Sequence, residues 1–283
     1  MFPRTQIGGI SVSRMIVGIN WFMGWSHTSA AKDALIREMV LDRGRIADII
    51  EVYLRAGVDT ILGSLTQEPL SNAIRDAEDR VGRGMIRIGT PTFPVDADTP
   101  ANGFDRSAVE RILDEELRHG VDICMPHQAT TDALMDRCSR TIRRIDELTG
   151  PMRERGLTPG LSTHMPETIV YADASGADVE TYISIYNAMG FLMQLEVDWV
   201  SRIIREARKP VVTIKPMAAG QLRPFQALPF VWTTIRPCDM VCVGSMTPAE
   251  AKELVDLSLS ILERRDSELE LQETRSKKSV KPV

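Results

Sequence analysis

Short hydrophobic runs alternate with longer stretches of helical periodicity along most of this chain. Eight runs are rich in hydrophobic and β-branched residues, which is typical of strands buried on both faces of a sheet; they are Met15–Asn20, Val58–Leu62, Met85–Thr90, Val121–Met125, Gly160–Thr163, Thr181–Tyr186, Val211–Lys215 and Met240–Val243. Between them, hydrophobic residues recur at helical spacing, as in Arg45–Ala56, Arg106–His119 and Pro248–Leu262. This alternation predicts an α/β fold of the (β/α)8 TIM-barrel type, with a doubly wound open sheet as the alternative.

Both ends of the chain lie outside this alternation. Gly8 and Gly9 separate two short apolar runs, which predicts a β-hairpin that closes the floor of the barrel. Near the other end the hydrophobic periodicity disappears, and the sequence finishes in Ser-Lys-Lys-Ser-Val-Lys-Pro-Val. We therefore predict one barrel domain over residues 1–265 and a polar, flexible tail over residues 266–283.

The composition limits the type of protein. A net charge of −5 and a pI near 5.5 argue against a nucleic-acid-binding surface, which needs a basic face. No apolar run approaches the ~20 residues of a membrane span, the first residues do not read as a signal peptide, and the cysteines show no Cys-x-x-Cys spacing. We expect a reduced, cytoplasmic protein that binds a small molecule and neither nucleic acid nor membrane. Assembly into a homo-oligomer stays open.

Three of the four histidines lie just beyond predicted strands. His27, His127 and His164 follow the first, fourth and fifth runs, whereas His119 ends a predicted helix. In a parallel barrel the carboxyl ends of the strands form the active site, so these three rings are expected to gather there. They are candidates for proton transfer or for binding a divalent metal, with Asp59 or Glu68 as an oxygen ligand. Each of them could instead be a ring packed in a loop, although the position of His127 favours a functional role.

Other polar and aromatic residues follow the same strand ends. Candidate substrate contacts are Asn20, Trp21, Trp25, Gln128 and Asn187.

Two charged residues fall within or at the end of predicted strands. Asp59 would be costly inside a buried strand unless paired, and Lys215 is a candidate partner that would complete a proton-transfer pair. Alternatively, Lys215 is a Schiff-base nucleophile. The segment Val243–Pro248 ends a strand and opens a helix, so Gly244 and Ser245, with Gly220 from the preceding loop, are candidates for binding a cofactor phosphate.

Several motifs, in order along the chain, resemble those of the aldo/keto reductase superfamily. They are the hairpin leading into the first strand, Gly57–Thr60, Val121–His127, Leu161–His164, Tyr186-Asn187 and Ile214–Gly220. The resemblance implies a barrel, a nicotinamide cofactor, and Asp59 and His127 as two of four catalytic groups. The segment Gly18–His27 is similar to a divergent branch of these proteins that carries Gly-x-Asn-x-x-Gly-Gly-Trp-x-His.

The other half of the catalytic set is missing. The family's tyrosine should follow Asp59 after a few residues, and its lysine should end the third strand, but the chain has no tyrosine there and reads Thr90-Pro91-Thr92 at the strand end. Glu250 stands where the family often has an arginine near the adenosine phosphate. A carboxylate there would repel a 2′-phosphate, which argues against NADPH and leaves NAD(H) as the expected dinucleotide.

Three functions remain open from the sequence. The first is an atypical reductase acting on a small carbonyl- or polyol-bearing, sugar-like substrate, with His127 polarising the carbonyl group and Asp59 and Lys215 supporting it. The second is a non-redox lyase, epimerase, isomerase or hydrolase that uses the histidine cluster, with or without a metal. The third is a barrel that has lost its activity.

Overall fold

A ring of parallel strands forms the centre of the molecule. The computed structural model describes residues 1–269 and 271–280. Its strands are β1 (Arg4–Ile7), β2 (Ile10–Ser13), β3 (Met15–Gly18), β4 (Thr60–Gly63), β5 (Ile86–Gly89), β6 (Ile123–Cys124), β7 (Met135–Asp136), β8 (Thr141–Ile142), β9 (Thr158–Pro159), β10 (Leu161–Ser162), β11 (Tyr182–Ile185), β12 (Val211–Ile214) and β13 (Met240–Val243). Each of the eight predicted runs overlaps a strand of the ring, and only the short strand β9 falls outside them.

The ring closes at Gly160. Parallel pairing runs in the order β10, β11, β12, β13, β3, β4, β5, β6 and β9, and Gly160 joins β9 to β10 along the chain. The Gly160 amide donates to the Cys124 carbonyl (3.0 Å), while the next amide, that of Leu161, donates to the Thr181 carbonyl on the other side (3.0 Å). The two short strands therefore act as one, which confirms the (β/α)8 barrel and excludes the open sheet.

Helices follow the strands and cover the outside of the ring. They are α1 (Ala30–Val40), α2 (Arg43–Arg55), α3 (Leu70–Val81), α4 (Thr99–Asn102), α5 (Arg106–Arg118), α6 (Gln128–Leu134), α7 (Asp146–Glu154), α8 (Glu167–Ser175), α9 (Val197–Glu206), α10 (Pro224–Thr234), α11 (Pro248–Glu263) and α12 (Arg275–Lys278). The three helices named from periodicity match α2, α5 and α11 within two residues at each end. None of the described helices is both long and apolar enough to cross a bilayer.

The amino-terminal hairpin closes the floor, as predicted. Strands β1 and β2 pair in antiparallel register across Gly8-Gly9. Ile7 and Val12 are fully buried and pack with the residues that fill the barrel interior, such as Ile16 and Ile88. Because this apolar plug covers the amino ends of the strands, the barrel opens only at their carboxyl ends.

The predicted tail falls partly within the described residues. Residues up to 269 continue from α11, and the Glu268 amide donates to Asp256 on that helix (2.7 Å). The short helix α12 lies further along. Residues 270 and 281–283 of the predicted tail lie outside the described residues, and its flexibility stays a prediction.

The floor also holds Asp59, and this corrects one sequence prediction. The strand begins only at Thr60, so Asp59 lies at its amino end, where its carboxylate pairs with the Arg4 guanidinium of the hairpin (2.7 Å). Lys215 follows the carboxyl end of β12. A four-residue strand spans about 13 Å at about 3.3 Å per residue, so the two side chains belong to opposite ends of the barrel. The predicted ion pair between Asp59 and Lys215 is wrong.

Candidate active site

A cavity of about 570 Å³ opens at the carboxyl ends of the strands. All three rim histidines and Lys215 line it, together with Asn20, Trp21, Trp25 and Gln128. Its walls also include the strand-end residues Leu62, Gly63, Thr90, Ser162, Ile183, Ile214, Cys242 and Val243. The sequence therefore placed most of its candidates correctly in space, although their chemical roles stay predictions.

His127 presents a hydrogen-bond donor. It precedes α6 as the capping residue, and its Nδ1 accepts from the Ala129 amide (3.3 Å). Burial, and then the charge of Lys215, lower the pKa of His127. The ring is therefore neutral at neutral pH, with Nδ1 unprotonated and the proton on Nε2. A neutral Nε2–H can donate to a carbonyl or hydroxyl oxygen without carrying a charge into the cavity.

His27 is held by the first loop. The Asn20 side-chain amide lies 2.8 Å from His27 Nε2 and donates to it. Burial is the largest cause of a lowered pKa at His27; Lys215 adds to the effect, and Asp33 opposes it. His27 has a φ of 61°, a left-handed conformation that is uncommon for a residue with a β-carbon. The Asn20 contact fixes the ring as a neutral group at the edge of the cavity.

His164 is the most strongly perturbed of the three. Its backbone amide donates to Asp132 on α6 (3.1 Å), and the Thr163 hydroxyl donates to the same carboxylate (2.5 Å). Burial, Lys215, His127 and His27, in that order, lower the pKa of His164 to about 4. An imidazole with this pKa stays unprotonated far below neutral pH, so it is available as a proton acceptor.

Lys215 lies among these rings without a carboxylate partner. No described residue forms an ion pair with Lys215, and none of the residues lining the cavity is an aspartate or glutamate. Burial lowers the pKa of Lys215, an effect only partly offset by Cys242. The charge of Lys215 in turn lowers the pKa of all three histidines. The mouth of the barrel is therefore electropositive and suited to a substrate oxygen that is, or becomes, negative.

Two predicted contacts lie outside the cavity. Asn187 is fully buried: its side-chain oxygen accepts from the amides of Met189 (3.2 Å) and Phe191 (2.8 Å), and its amide group donates to the Phe191 carbonyl (3.1 Å). Ser245 is also buried and accepts from the Tyr53 hydroxyl (3.1 Å). Both side chains stabilise local structure, so neither touches a molecule in the cavity through its side chain.

The predicted dinucleotide site is partly occupied by the protein's own carboxylate. Gly220 and Gly244 both line the cavity, and a β-carbon on either would lie at ordinary van der Waals distance from the Trp21 indole (3.8 and 3.9 Å). At the start of α11, the Glu250 carboxylate accepts from the Met246 amide (2.7 Å), while the Glu250 amide donates to Thr247 (3.1 Å). A phosphate would have to displace this carboxylate. These residues fit a nicotinamide dinucleotide poorly.

The residues also fit a preformed metal centre poorly. Within the described part of the chain, no three histidine, cysteine, aspartate or glutamate side chains are grouped closely enough to share an ion. Glu68, one of the two predicted oxygen ligands, does not line the cavity and instead accepts from the Ser71 hydroxyl at the start of α3 (2.5 Å). His27 Nε2 is engaged by Asn20. The binding of a divalent metal stays a prediction.

Some cavity residues were not identified from the sequence as site residues. Ser162 and Cys242 lie within strands β10 and β13 and line the cavity. Because side chains along a strand alternate between its two faces, this alternation could have indicated which residues of these strands face the barrel interior. Asp132, which holds the His164 backbone, lies on a helix in the middle of the chain. Its contact depends on how α6 packs, and no local pattern signals it.

Comparison with known proteins shows a shared fold at low sequence identity. No family model matches the chain, and no curated protein matches it. A Pseudomonas aeruginosa protein assigned to the aldo-keto reductases is 15% identical over 92% of this chain and 96% of that one, with a TM-score of 0.62. An aldo/keto reductase from Brucella melitensis is 13% identical over 91% and 93%, with a TM-score of 0.58. Orotidine 5′-monophosphate decarboxylase from Methanocaldococcus jannaschii is 15% identical over 91% and 99%, with a TM-score of 0.54. The chain therefore has the barrel fold that the sequence motifs implied.

Proposed function

We propose that this protein is a non-redox enzyme that moves a proton next to the carbonyl group of a small, sugar-like substrate. Isomerases, epimerases and lyases of hydroxy-carbonyl compounds share this step. The observation that carries the proposal is the convergence of one unpaired lysine and three neutral histidines in a cavity whose described lining holds no carboxylate. Similar folds carry both reductases and a decarboxylase, so the side chains and not the fold decide the reaction class.

The groups divide into two roles by protonation state. Lys215, when protonated, and the Nε2–H of His127 stabilise negative charge that develops on the carbonyl oxygen as the neighbouring C–H bond breaks. His164 is unprotonated at neutral pH and accepts that proton. The proton is then returned to another carbon or to the opposite face, and no electron leaves the substrate.

The remaining lining residues fit a small polar molecule. Asn20, Gln128 and Ser162 offer hydrogen-bonding groups, and Trp21 and Trp25 supply flat aromatic faces of the kind that pack on sugar rings. The cavity volume of about 570 Å³ lies within the range of small-molecule sites.

Proton exchange in D₂O tests the proposal directly. The purified protein is incubated with dihydroxyacetone, glyceraldehyde or pyruvate, and the loss of α-proton signals is followed by NMR. We expect exchange above the protein-free rate for at least one hydroxy-carbonyl compound, and a fall of about 10²-fold or more in His164→Gln. His119→Gln is the matched control, because His119 lies at the end of α5, where its Nδ1 contacts the Glu115 carbonyl (3.0 Å). Exchange that persists unchanged in His164→Gln would contradict the assigned role.

Reduction by NAD(H) is the second candidate. It is favoured by the position of His127, which lies where the resemblance to aldo/keto reductases implied the catalytic histidine. Trp21 and Trp25 line the cavity and report binding through their fluorescence. Quenching by micromolar NADH, together with substrate-dependent NADH oxidation, would establish this candidate in place of the non-redox one. The Glu250 carboxylate, which accepts from the Met246 amide at the start of α11, leads us to expect no quenching up to millimolar cofactor.

A further inference from the structure

We infer that Lys215 bonds covalently to the substrate, forming an imine between its Nζ and the carbonyl carbon. This inference rests on the proposed function, since it assumes a carbonyl substrate in the same cavity. It goes further by assigning the lysine a nucleophilic role instead of a purely electrostatic one. The substrate class is thereby narrowed to aldehydes and ketones small enough to reach the barrel interior.

Two lysines flank strand β12 and differ in how they are paired. Lys209 precedes β12 at the floor, and its Nζ pairs with the Glu180 carboxylate (3.2 Å). Lys215 follows the same strand at the mouth, lines the cavity, and forms no ion pair with any described residue. Lys215 is half-buried, and a lysine with only a structural role at such a position would be expected to have a carboxylate partner, because desolvating an unpaired ammonium is costly.

The surroundings of Lys215 increase the fraction of its free amine. The nearby Ile183 and Ile214 are apolar, and the pKa of the adjacent Cys242 thiol is raised to about 12 by burial, so the thiol carries no negative charge at neutral pH. Burial lowers the pKa of Lys215 itself, which increases the fraction of free amine. A desolvated lysine without an anionic partner is the usual form of an imine-forming nucleophile.

The backbone conformation at Lys215 independently indicates a functional position. Lys215 has a φ of 59°, and Ala218 and Ala219 have φ values of 49° and 57°. Non-glycine residues rarely adopt this left-handed conformation, and such conformations concentrate at functional sites. The Lys215 carbonyl accepts from the Ala218 amide (2.9 Å), so the turn that fixes the lysine is itself held in place.

The chemistry needs no further reactant. The free amine of Lys215 attacks the carbonyl carbon and forms a C–N bond, and one N–H proton passes to the carbonyl oxygen, by way of a neighbouring histidine, to give a carbinolamine. The C–O bond then breaks as the nitrogen lone pair forms C=N. The departing oxygen takes the second N–H proton and leaves as water. Protonation of the imine nitrogen by solvent makes it an electron sink, so His164 can then remove the adjacent proton.

Reductive trapping tests the imine on the intact protein. The protein is incubated with dihydroxyacetone or pyruvate in the presence of sodium cyanoborohydride, and the modified peptides are mapped by mass spectrometry. We expect one preferred adduct, on Lys215, that is lost in Lys215→Arg and retained in Lys209→Met. When trapping is measured as a function of pH, its rate should reach half of its maximum at a pH below the ordinary lysine pKa of about 10.4. Labelling spread over the other lysines, with Lys215 unmodified, would overturn the inference.

The same carbonyl probes separate this inference from the proposed function. Exchange in D₂O without a trapped adduct on Lys215 would overturn the imine and leave proton transfer intact. Absence of both exchange and adduct would overturn the imine and count against the proposed function as well. An adduct on Lys215 that also depends on His127 or His164 would support both. Circular dichroism of Lys215→Arg establishes that the loss of trapping does not come from unfolding.

Discussion

The two ends of the barrel differ in whether their charged side chains form ion pairs. At the floor, Arg4 pairs with Asp59 (2.7 Å), and the fully buried Asp239 carboxylate accepts from Arg236 (2.7 Å) and from the Val211 amide (2.9 Å). At the mouth, Lys215 has no described ion-pair partner. The floor pairs its charges, whereas the mouth holds a half-buried charge without a counter-ion among the described residues.

This difference indicates that the charged residues at the floor contribute to stability and those at the mouth contribute to function, although the same strands carry both. A buried charge that is paired and hydrogen-bonded lowers the free energy of unfolding only slightly. Removing it leaves its partner unpaired in a region of low dielectric constant, which is strongly destabilising. An unpaired charge destabilises the fold and is retained where it serves another purpose. Substitutions at the floor should therefore reduce stability and spare chemistry, and substitutions at the mouth should do the reverse.

The largest effect is expected for Lys215→Met. Removing the ammonium group takes away both the oxyanion stabiliser and the proposed nucleophile, so α-proton exchange should fall by about 10²- to 10⁴-fold. The same change removes an unpaired, half-buried charge, so the free energy of unfolding should stay equal or rise. NMR exchange rates and urea denaturation measure the two quantities. A variant that loses stability as well as activity would contradict the contrast between the two ends.

Asp239→Ala should have the next largest effect, and on stability alone. Its carboxylate accepts from the Arg236 side chain and from the amides of Val211 and Arg236 (both 2.9 Å). The substitution leaves the buried Val211 amide without its acceptor and the half-buried Arg236 guanidinium, which still donates to the Ala207 and Lys209 carbonyls, without its counter-ion. This should cost about 3 kcal/mol of unfolding free energy. Urea denaturation provides the measurement.

The control for that variant is an exposed pair. Arg202→Ala breaks a pair with Glu206 in which both side chains are more than half exposed (59% and 64%), so it should cost well under about 1 kcal/mol. If Asp239→Ala proved no more costly than Arg202→Ala, the floor pairs would not be the source of stability that we assign to them.

The wall of the barrel carries an intermediate case, Glu116. This glutamate on α5 is only 4% exposed, and its Oε2 has no hydrogen-bond partner among the described residues. Gly89 makes room for it, because a β-carbon there would lie 2.2 Å from Oε2. Burial, with a smaller contribution from Glu115, raises the pKa of Glu116 to about 7.

Glu116→Gln should therefore remove a pH-dependent part of the stability. Because the folded pKa of Glu116 exceeds that of the unfolded chain, the folded protein holds this proton more tightly; its stabilising effect is complete below about pH 4.5 and is lost as the pH rises through about 7. The loss is on the order of 3 kcal/mol. Urea denaturation at pH 5 and pH 8 should show a smaller difference in the variant than in the parent protein.

Most of the fold could be predicted from the sequence because it depends on local patterns. The eight hydrophobic runs overlap every strand of the ring except the short β9, and Gly8-Gly9 marks the hairpin. The gathering of the three histidines follows from the geometry of parallel strands, in which every carboxyl end lies on one side. These predictions need only the order of elements along the chain.

The errors arose where a side chain's partner comes from elsewhere in the fold. Asn187 follows a strand end as a rim residue should, yet its hydrogen bonds are satisfied within its own loop. The run Val58–Leu62 does not reveal where the strand begins, and a start at Thr60 places Asp59 at the floor. The spacing of residues along the chain does not by itself determine either of these outcomes.

The smallest effect is expected for Asp59→Asn, and it decides between two roles for this residue. The family resemblance implies a catalytic aspartate, whereas the structure pairs Asp59 with Arg4 at the floor, about the length of a strand away from the cavity. Because Arg4 is partly exposed, loss of the pair should cost roughly 1 kcal/mol or less. Proton exchange should stay within about twofold, far less than the fall that a catalytic group would give. A fall in exchange comparable to that of Lys215→Met, with stability unchanged, would instead return Asp59 to the reaction and remove the division of charge between floor and mouth.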